Sequence, residues 1–165
     1  DSSNPKDNYR NLIIAYISFR FELKFALGGV IALVHDIIIA IGVIALLGYE
    51  INSSFIAAIL TILGYSINDT IVVYDRIREN LKRHKGLSLE NIIDNSVNDV
   101  MRRSLNTSFT TLLAVLAVLI FGGDTLKSFM VTLLVGIGIG TYSSIFVASP
   151  VVYLLEGKLK SKIKL

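Results

Sequence analysis

No cysteine occurs among the 165 residues, so neither a disulfide framework nor a thiolate metal site is available. Proline occurs only at Pro5, in a polar opening segment, and at Pro150, near the exit of a long apolar run where neighbouring helices can satisfy the carbonyl it frees. No phosphate-cradling glycine loop, nucleophile motif or zinc-ligand spacing is present. The Ser and Thr residues have no candidate base arranged with them, so hydrolysis has no support, and neither enzymatic activity nor a cofactor is expected. An initiator Met and a signal-peptide pattern are also missing. Asp1 opens the chain, and a fragment or processed segment is the expectation.

Apolar sequence is abundant instead. Hydrophobic residues make up 53% of the chain and its mean hydropathy is +0.64. Several uncharged runs approach the roughly 20 residues that cross a bilayer. The reading is an all-α, multi-pass membrane protein, a helical bundle of about five transmembrane helices. Spans are expected over 11–22, 25–47, 53–74, 104–121 and 129–155. The first is truncated, because the apolar run from Asn11 to Phe19 has nine residues before Arg20, Glu22 and Lys24 mark a short polar connection. Turns are expected at Gly48–Asn52 and at Gly122-Gly123-Asp124. Residues 1–10 read as a polar tail outside the cell membrane, and 156–165 as a mobile, basic cytoplasmic tail.

Residues 75–103 read as a cytoplasmic polar loop carrying an amphipathic helix. Gly86 breaks the chain, Ser88 can cap a helix and Glu90 falls in its first turn. Leu89, Ile92, Ile93, Val97, Val100 and Met101 recur at three- and four-residue spacing, which predicts a surface against lipid headgroups or a partner. With this loop inside, thirteen Lys and Arg lie on the cytoplasmic side and three outside. The bases cluster between and after apolar runs, the pattern that orients a membrane protein, so no nucleic-acid partner is expected.

The stretch GYSINDTIVVYDRIREN, Gly64 to Asn80, places Asp69 six residues before Asp75. If Asp75 and Arg76 sit at the headgroups, Asp69 lies about 9 Å deeper. An ionisable group at that depth is costly and points to function; an acid that merely caps or snorkels is the plainer alternative. On this helix Thr61, Tyr65, Asn68 or Asp69, and Val72 share a face. On the fourth run Arg103, Asn106 or Thr107, Thr110, Ala114 and Ala117 share another. Apposed, the two faces bring Asp69 near Arg103 and a ladder of hydroxyls, with Asn68, Thr107, Thr110 and Thr111 as supporting polar groups. Arg favours the charged carboxylate and desolvation the neutral one, so small movements can switch such a pair. A proton relay and a structural ion pair both fit.

His35 and Asp36 are adjacent, so they leave a helix about 100° apart and read as a hydrogen-bonding site between helices. Two carboxylates and one His on separate helices are too few for a metal site, and none is expected. Gly136, Gly140, Ser144 and Ala148 recur every four residues, which marks a close-packing face.

The Gly64–Asn80 motif resembles the SecF family, the smaller subunits of the SecD–SecF protein-export pair. Phe19-Arg20-Phe21-Glu22 is similar to the family's FRFE element, and Ala32-Leu33-Val34-His35-Asp36 to its HD motif. Arg103 to Leu112, RSLNTSFTTL, resembles RTLxTSxTTL, and Phe121-Gly122-Gly123 and Gly140-Thr141-Tyr142-Ser143-Ser144 continue the likeness, which covers about 11–155. SecD, the nearest confusable relative, has VDAN before FERI, whereas this chain reads INDT before YDRI. Two departures stand out: the family's first helix and periplasmic domain are expected to be lacking from this stretch, with the following helix short, and Asp99-Val100-Met101-Arg102 replaces an uncharged stretch. Register with the TSxTTL element selects Arg103 over Arg102.

The resemblance implies half of a resistance–nodulation–division type pseudo-symmetric membrane domain. It also implies an auxiliary subunit of the general secretion translocon, in the cytoplasmic membrane of a prokaryote. There, with SecD, it would use the proton motive force to promote protein translocation. Implied partners are SecD, the SecYEG translocon with its SecA motor, YajC and YidC, membrane lipids and exported unfolded polypeptides. Asp69 and Arg103 match the positions the family uses in its proton pathway. A scaffold subunit that conducts no protons and a proton-coupled small-molecule exporter are the alternatives.

Overall fold

Capping and turn residues set the helix limits. The computed structural model describes residues 5–163 as α1 (Pro5–Leu46), α2 (Ser53–Arg83), α3 (Leu89–Phe121), α4 (Asp124–Phe146) and α5 (Ala148–Ile163). Gly48, at φ +73°, turns the chain out of α1, and Gly123, at φ +78°, leads it into α4. Asn52 Oδ1 accepts from the Phe55 amide at 3.1 Å, and Ser88 Oγ, the expected cap, accepts from the Asn91 amide at 3.3 Å. Pro150 lacks an amide proton and its ring crowds the carbonyl of Phe146, so the chain breaks between α4 and α5 at Val147.

The helix limits depart from expectation at three places. The polar connection at Arg20–Lys24 does not form; the segments expected at 11–22 and 25–47 belong to the single 42-residue helix α1. That helix is about 63 Å long, twice the hydrocarbon thickness, because isolated charges every second residue do not interrupt helical backbone bonding. Among the described residues, four segments are long and apolar enough to cross a membrane: Glu22–Leu46, Ser53–Arg83, Leu89–Phe121 and Asp124–Glu156. The expected 75–103 loop is mostly helical, since α2 continues to Arg83 and α3 begins at Leu89. The tail expected over 156–165 continues α5 to Ile163, and residues 1–4, 164 and 165 lie outside the described residues.

The bundle has two apolar cores with a polar layer between them. At one end Phe25 and Ala32 of α1, Val73, Tyr74 and Ile77 of α2, Ile93 and Val100 of α3, and Ala148 and Val152 of α5 pack together. At the other end Ala58 and Ile62 of α2 meet Val115 of α3 and Leu133 and Ile137 of α4. The 88–101 stripe therefore turns largely inward: Ile92, Ile93 and Val100 are buried, and Leu89, Val97 and Met101 are half-buried. Ile93→Asp would bury an unpaired charge and is expected to cost well above the ~1 kcal/mol typical of a point substitution. Denaturation of the detergent-solubilised protein measures it; wild-type stability would return the stripe to the surface.

Candidate functional site

The polar layer is supplied by short side chains from four helices. In a hydrocarbon setting each buried polar group must find a partner inside the bundle. Asp69, on α2, has its two carboxylate oxygens bonded on opposite sides: Ser104 Oγ of α3 donates to Oδ1 and Ser144 Oγ of α4 donates to Oδ2. Asp36 of α1 is 1% exposed. Its Oδ2 accepts from Ser66 Oγ of α2 at 2.6 Å and from Ser143 Oγ of α4 at 2.8 Å. His35, half-buried, places Nδ1 3.1 Å from Asp36 Oδ1. Each acid thus joins three helices.

A third chain of hydroxyls runs beside them. Tyr65 OH lies 2.7 Å from Ser108 Oγ, which contacts Thr141 Oγ1, and Thr141 donates to the Ile137 carbonyl at 2.8 Å. Each hydroxyl has a single proton, so the direction is determined: Tyr65 donates to Ser108, and Ser108 to Thr141.

The expected contact between Asp69 and Arg103 is not made. Ser104, one residue on, points at Asp69, and about 100° of helical rotation turns Arg103 away. Arg103 is exposed, forms no ion pair among the described residues, and lines a cleft of about 350 Å³ with Asp75, Arg76, Glu79 and Asp99. That cleft lies at the end of α2 beyond Asp69, with Val72 and Val100 as its floor. Arg76 crosses it, with Nη2 2.8 Å from Asp99 Oδ2 and Nη1 2.8 Å from Glu79 Oε2.

The other sequence candidates divide in the same way. Asn68, Thr107 and Thr110 are exposed, and Thr111 is half-buried. The threonine hydroxyls donate to carbonyls one turn back in α3, Thr107 to Arg103, Thr110 to Asn106 and Thr111 to Thr107, each within 2.9 Å. They satisfy themselves along their own helix and do not reach Asp69. Gly136, Gly140 and Ser144 are buried on α4, and a Cβ on Gly136 would stand 2.1 Å from Ile62 Cδ1 of α2. Ser66, Ser104, Ser108 and Ser143 carry the layer without having been singled out. The readable signal was the four-residue spacing of Ser104 and Ser108 one step from the threonine ladder.

An intramembrane carboxylate held only by hydroxyls can exist in either protonation state without losing its partners. As an anion it accepts from both serines; as an acid it can donate to one of them. Among the described residues no Lys or Arg forms an ion pair with Asp69 or Asp36.

Residues 10–158 match the family described as protein export membrane protein SecD/SecF, C-terminal. The protein translocase subunit SecF of Sebaldella termitidis is 59% identical over 146 residues, 88% of this chain and 47% of that protein. Its counterpart in Petrotoga mobilis is 50% identical over 141 residues, 86% of this chain and 47% of that protein. The chain spans about half the length of these relatives. Among solved structures, SecDF in its super-membrane-facing form matches with a TM-score of 0.84 at 44% identity, over 93% of this chain and 21% of that one. SecDF from Thermus thermophilus, a translocon-associated membrane protein, matches at 0.79 and 46% identity, over 89% and 20%.

Proposed function

Because the chain belongs to the SecD/SecF family of protein-export membrane proteins, we propose that it acts as a SecF-type translocation subunit. It assembles with SecD in the cytoplasmic membrane and uses the proton gradient to promote passage of unfolded polypeptides from the SecYEG translocon and its SecA motor. Asp69 carries the proton. The supporting observation is the hydroxyl clamp, which gives Asp69 partners from Ser104 and Ser144 in either protonation state. The charged cleft ending at Arg103 offers water and countercharge one turn beyond it, so that Arg103 acts at the exit and not as a direct ion-pair partner. In vesicles containing the complex with SecD, an imposed pH gradient should drive proton uptake above that of protein-free vesicles. Equal leakage would leave a scaffold that conducts nothing.

The same reading includes an orientation. Seven Lys and Arg lie between Arg76 and Arg103, at the α2–α3 end, whereas Lys127 stands at the α3–α4 turn. The positive-inside bias puts the first end in the cytoplasm, together with Lys24 and Glu156, which pair across α1 and α5. On this reading the continuity of α1 carries residues 5–21 to that side as well. Cysteines introduced at Lys85 and Lys127 should react with an impermeant reagent from opposite sides. Labelling of both from one side would overturn the orientation.

A further inference from the structure

Ser143 and Ser144 are neighbours on α4, so their side chains leave the helix about 100° apart. Ser143 bonds Asp36 and Ser144 bonds Asp69. Each hydroxyl also lies near a carbonyl of its own helix. Ser143 Oγ is 3.3 Å from the Gly140 oxygen, and Ser144 Oγ is 3.0 Å from the Thr141 oxygen. A hydroxyl has one proton to donate, so each serine serves either the carboxylate or the carbonyl.

The protonation state of the acid decides which. An ionised Asp36 only accepts, so Ser143 donates across to it. A protonated Asp36 donates from Oδ2 to Ser143 Oγ, and the serine proton turns to Gly140. Ser66 serves the carboxyl in both states. The same exchange at Asp69 turns Ser144 to Thr141, while Ser104 keeps Oδ1. The proton stays on the carboxyl oxygen throughout; only the direction of hydrogen bonding reverses. Serine bonds back to its own helix bend that helix, so α4 registers each proton.

We propose that Asp36 is a second proton-responsive carboxylate, coupled to Asp69 through the Ser143–Ser144 pair of α4. The proposal rests on the proton-carrying role of Asp69 and extends it: Asp36 is a positioning residue that sets the hydrogen bonds α4 offers to Asp69. The groups facing Asp36 are few. Among the described residues these are His35 from α1, Ser66 from α2 with Asp69 about 4.5 Å further along that helix, and Ser143 from α4. Neither acid has a Lys or Arg ion-pair partner among the described residues. The two carboxylates are joined through consecutive residues of one helix, Ser143 and Ser144, so an exchange of hydrogen bonds at one serine is carried by α4 to the other. The segment of α4 just before the serines contains Gly138, where a Cβ would meet nothing within 4 Å, so the helix has room to bend.

The test uses the complex with SecD. Infrared difference spectra across a pH titration should show a carboxyl band for each acid. Asp36→Asn should remove one and displace the midpoint of the other; Ser143→Ala should displace both and remove neither. Gradient-dependent export, followed against the pH of the outer face, should shift its midpoint in the same direction for Asp36→Asn and Ser143→Ala, with Asp36→Glu returning toward wild type. A merely structural Asp36 would lower complex recovery and export together with both midpoints in place, and that result overturns the proposal. If Asp36→Asn is not recovered, Ser143→Ala alone decides, because it retains the acid; an unmoved Asp69 midpoint refutes the coupling. Normal export by Asp69→Asn is a separate failure, which removes the proton carrier while the Asp36 band still reports on α4.

Discussion

Asp69→Asn is expected to fold, to be recovered with SecD in wild-type amount, and to lose gradient-dependent export down to the level seen without a gradient. The clamp explains both halves of the result. Asparagine keeps the shape of the side chain, an oxygen that can accept from Ser104, and an NH₂ that can donate to Ser144. It therefore reproduces the protonated acid but cannot release a proton. Asp69→Ala differs, because the Ser104 hydroxyl loses its buried partner, at about 1–3 kcal/mol, whereas Ser144 can turn to the Thr141 carbonyl. A structural role predicts that both variants lose complex recovery in step with export. Recovery and export measured on the same membranes separate the two, and normal export by Asp69→Asn would falsify the proton-carrier role.

Gly136→Val should be the most damaging substitution to the fold itself. A Cβ at this position would lie 2.1 Å from Cδ1, 2.3 Å from Cγ1 and 2.9 Å from Cγ2 of Ile62. Ile62 is 1% exposed and packed among Ala58, Val115, Leu133 and Ile137, and its branched side chain has one favoured rotamer in a helix. It cannot swing aside, so α2 and α4 must separate. Overpacking of this kind costs about 1–3 kcal/mol or more, and separation would also draw Ser144 from Asp69. Gly138→Ala is the control: nothing lies near its Cβ position, and alanine favours the helix by about 1 kcal/mol. Thermal denaturation in detergent should place Gly136→Val far below wild type and Gly138→Ala at or above it. Combining Gly136→Ala with Ile62→Ala should recover part of the loss of Gly136→Ala, since the clash and the cavity occupy the same space. Additive losses would show that α4 is not held against Ile62.

Local chemistry was enough to place much of this fold. Uncharged runs marked the helices, Gly48 and Gly123 marked the turns, and Ser88 marked the start of α3, because apolar length, positive φ and capping act over one or two turns. The intramembrane acid at Asp69 was also legible, since a carboxylate six residues before the charged stretch that begins at Asp75 is costly wherever the neighbours lie. Facing was not legible. In a soluble helix the polar side identifies itself, but in lipid the outward face is apolar too, and a shift of one residue turns a side chain by about 100°. Arg103 and the threonine ladder were accordingly expected inward, where packing put Ser104 and Ser108. The 88–101 stripe was periodic enough to predict a helix with a buried side, yet only the contacts with α2 and α5 showed that its cover is internal. Continuity of α1 through Arg20–Lys24 was likewise decided by backbone bonding that scattered charges do not prevent. The pairing of two acids with two consecutive serines joins residues 107 and 75 positions apart in the chain, and only the packing of α1 and α2 against α4 brings them together.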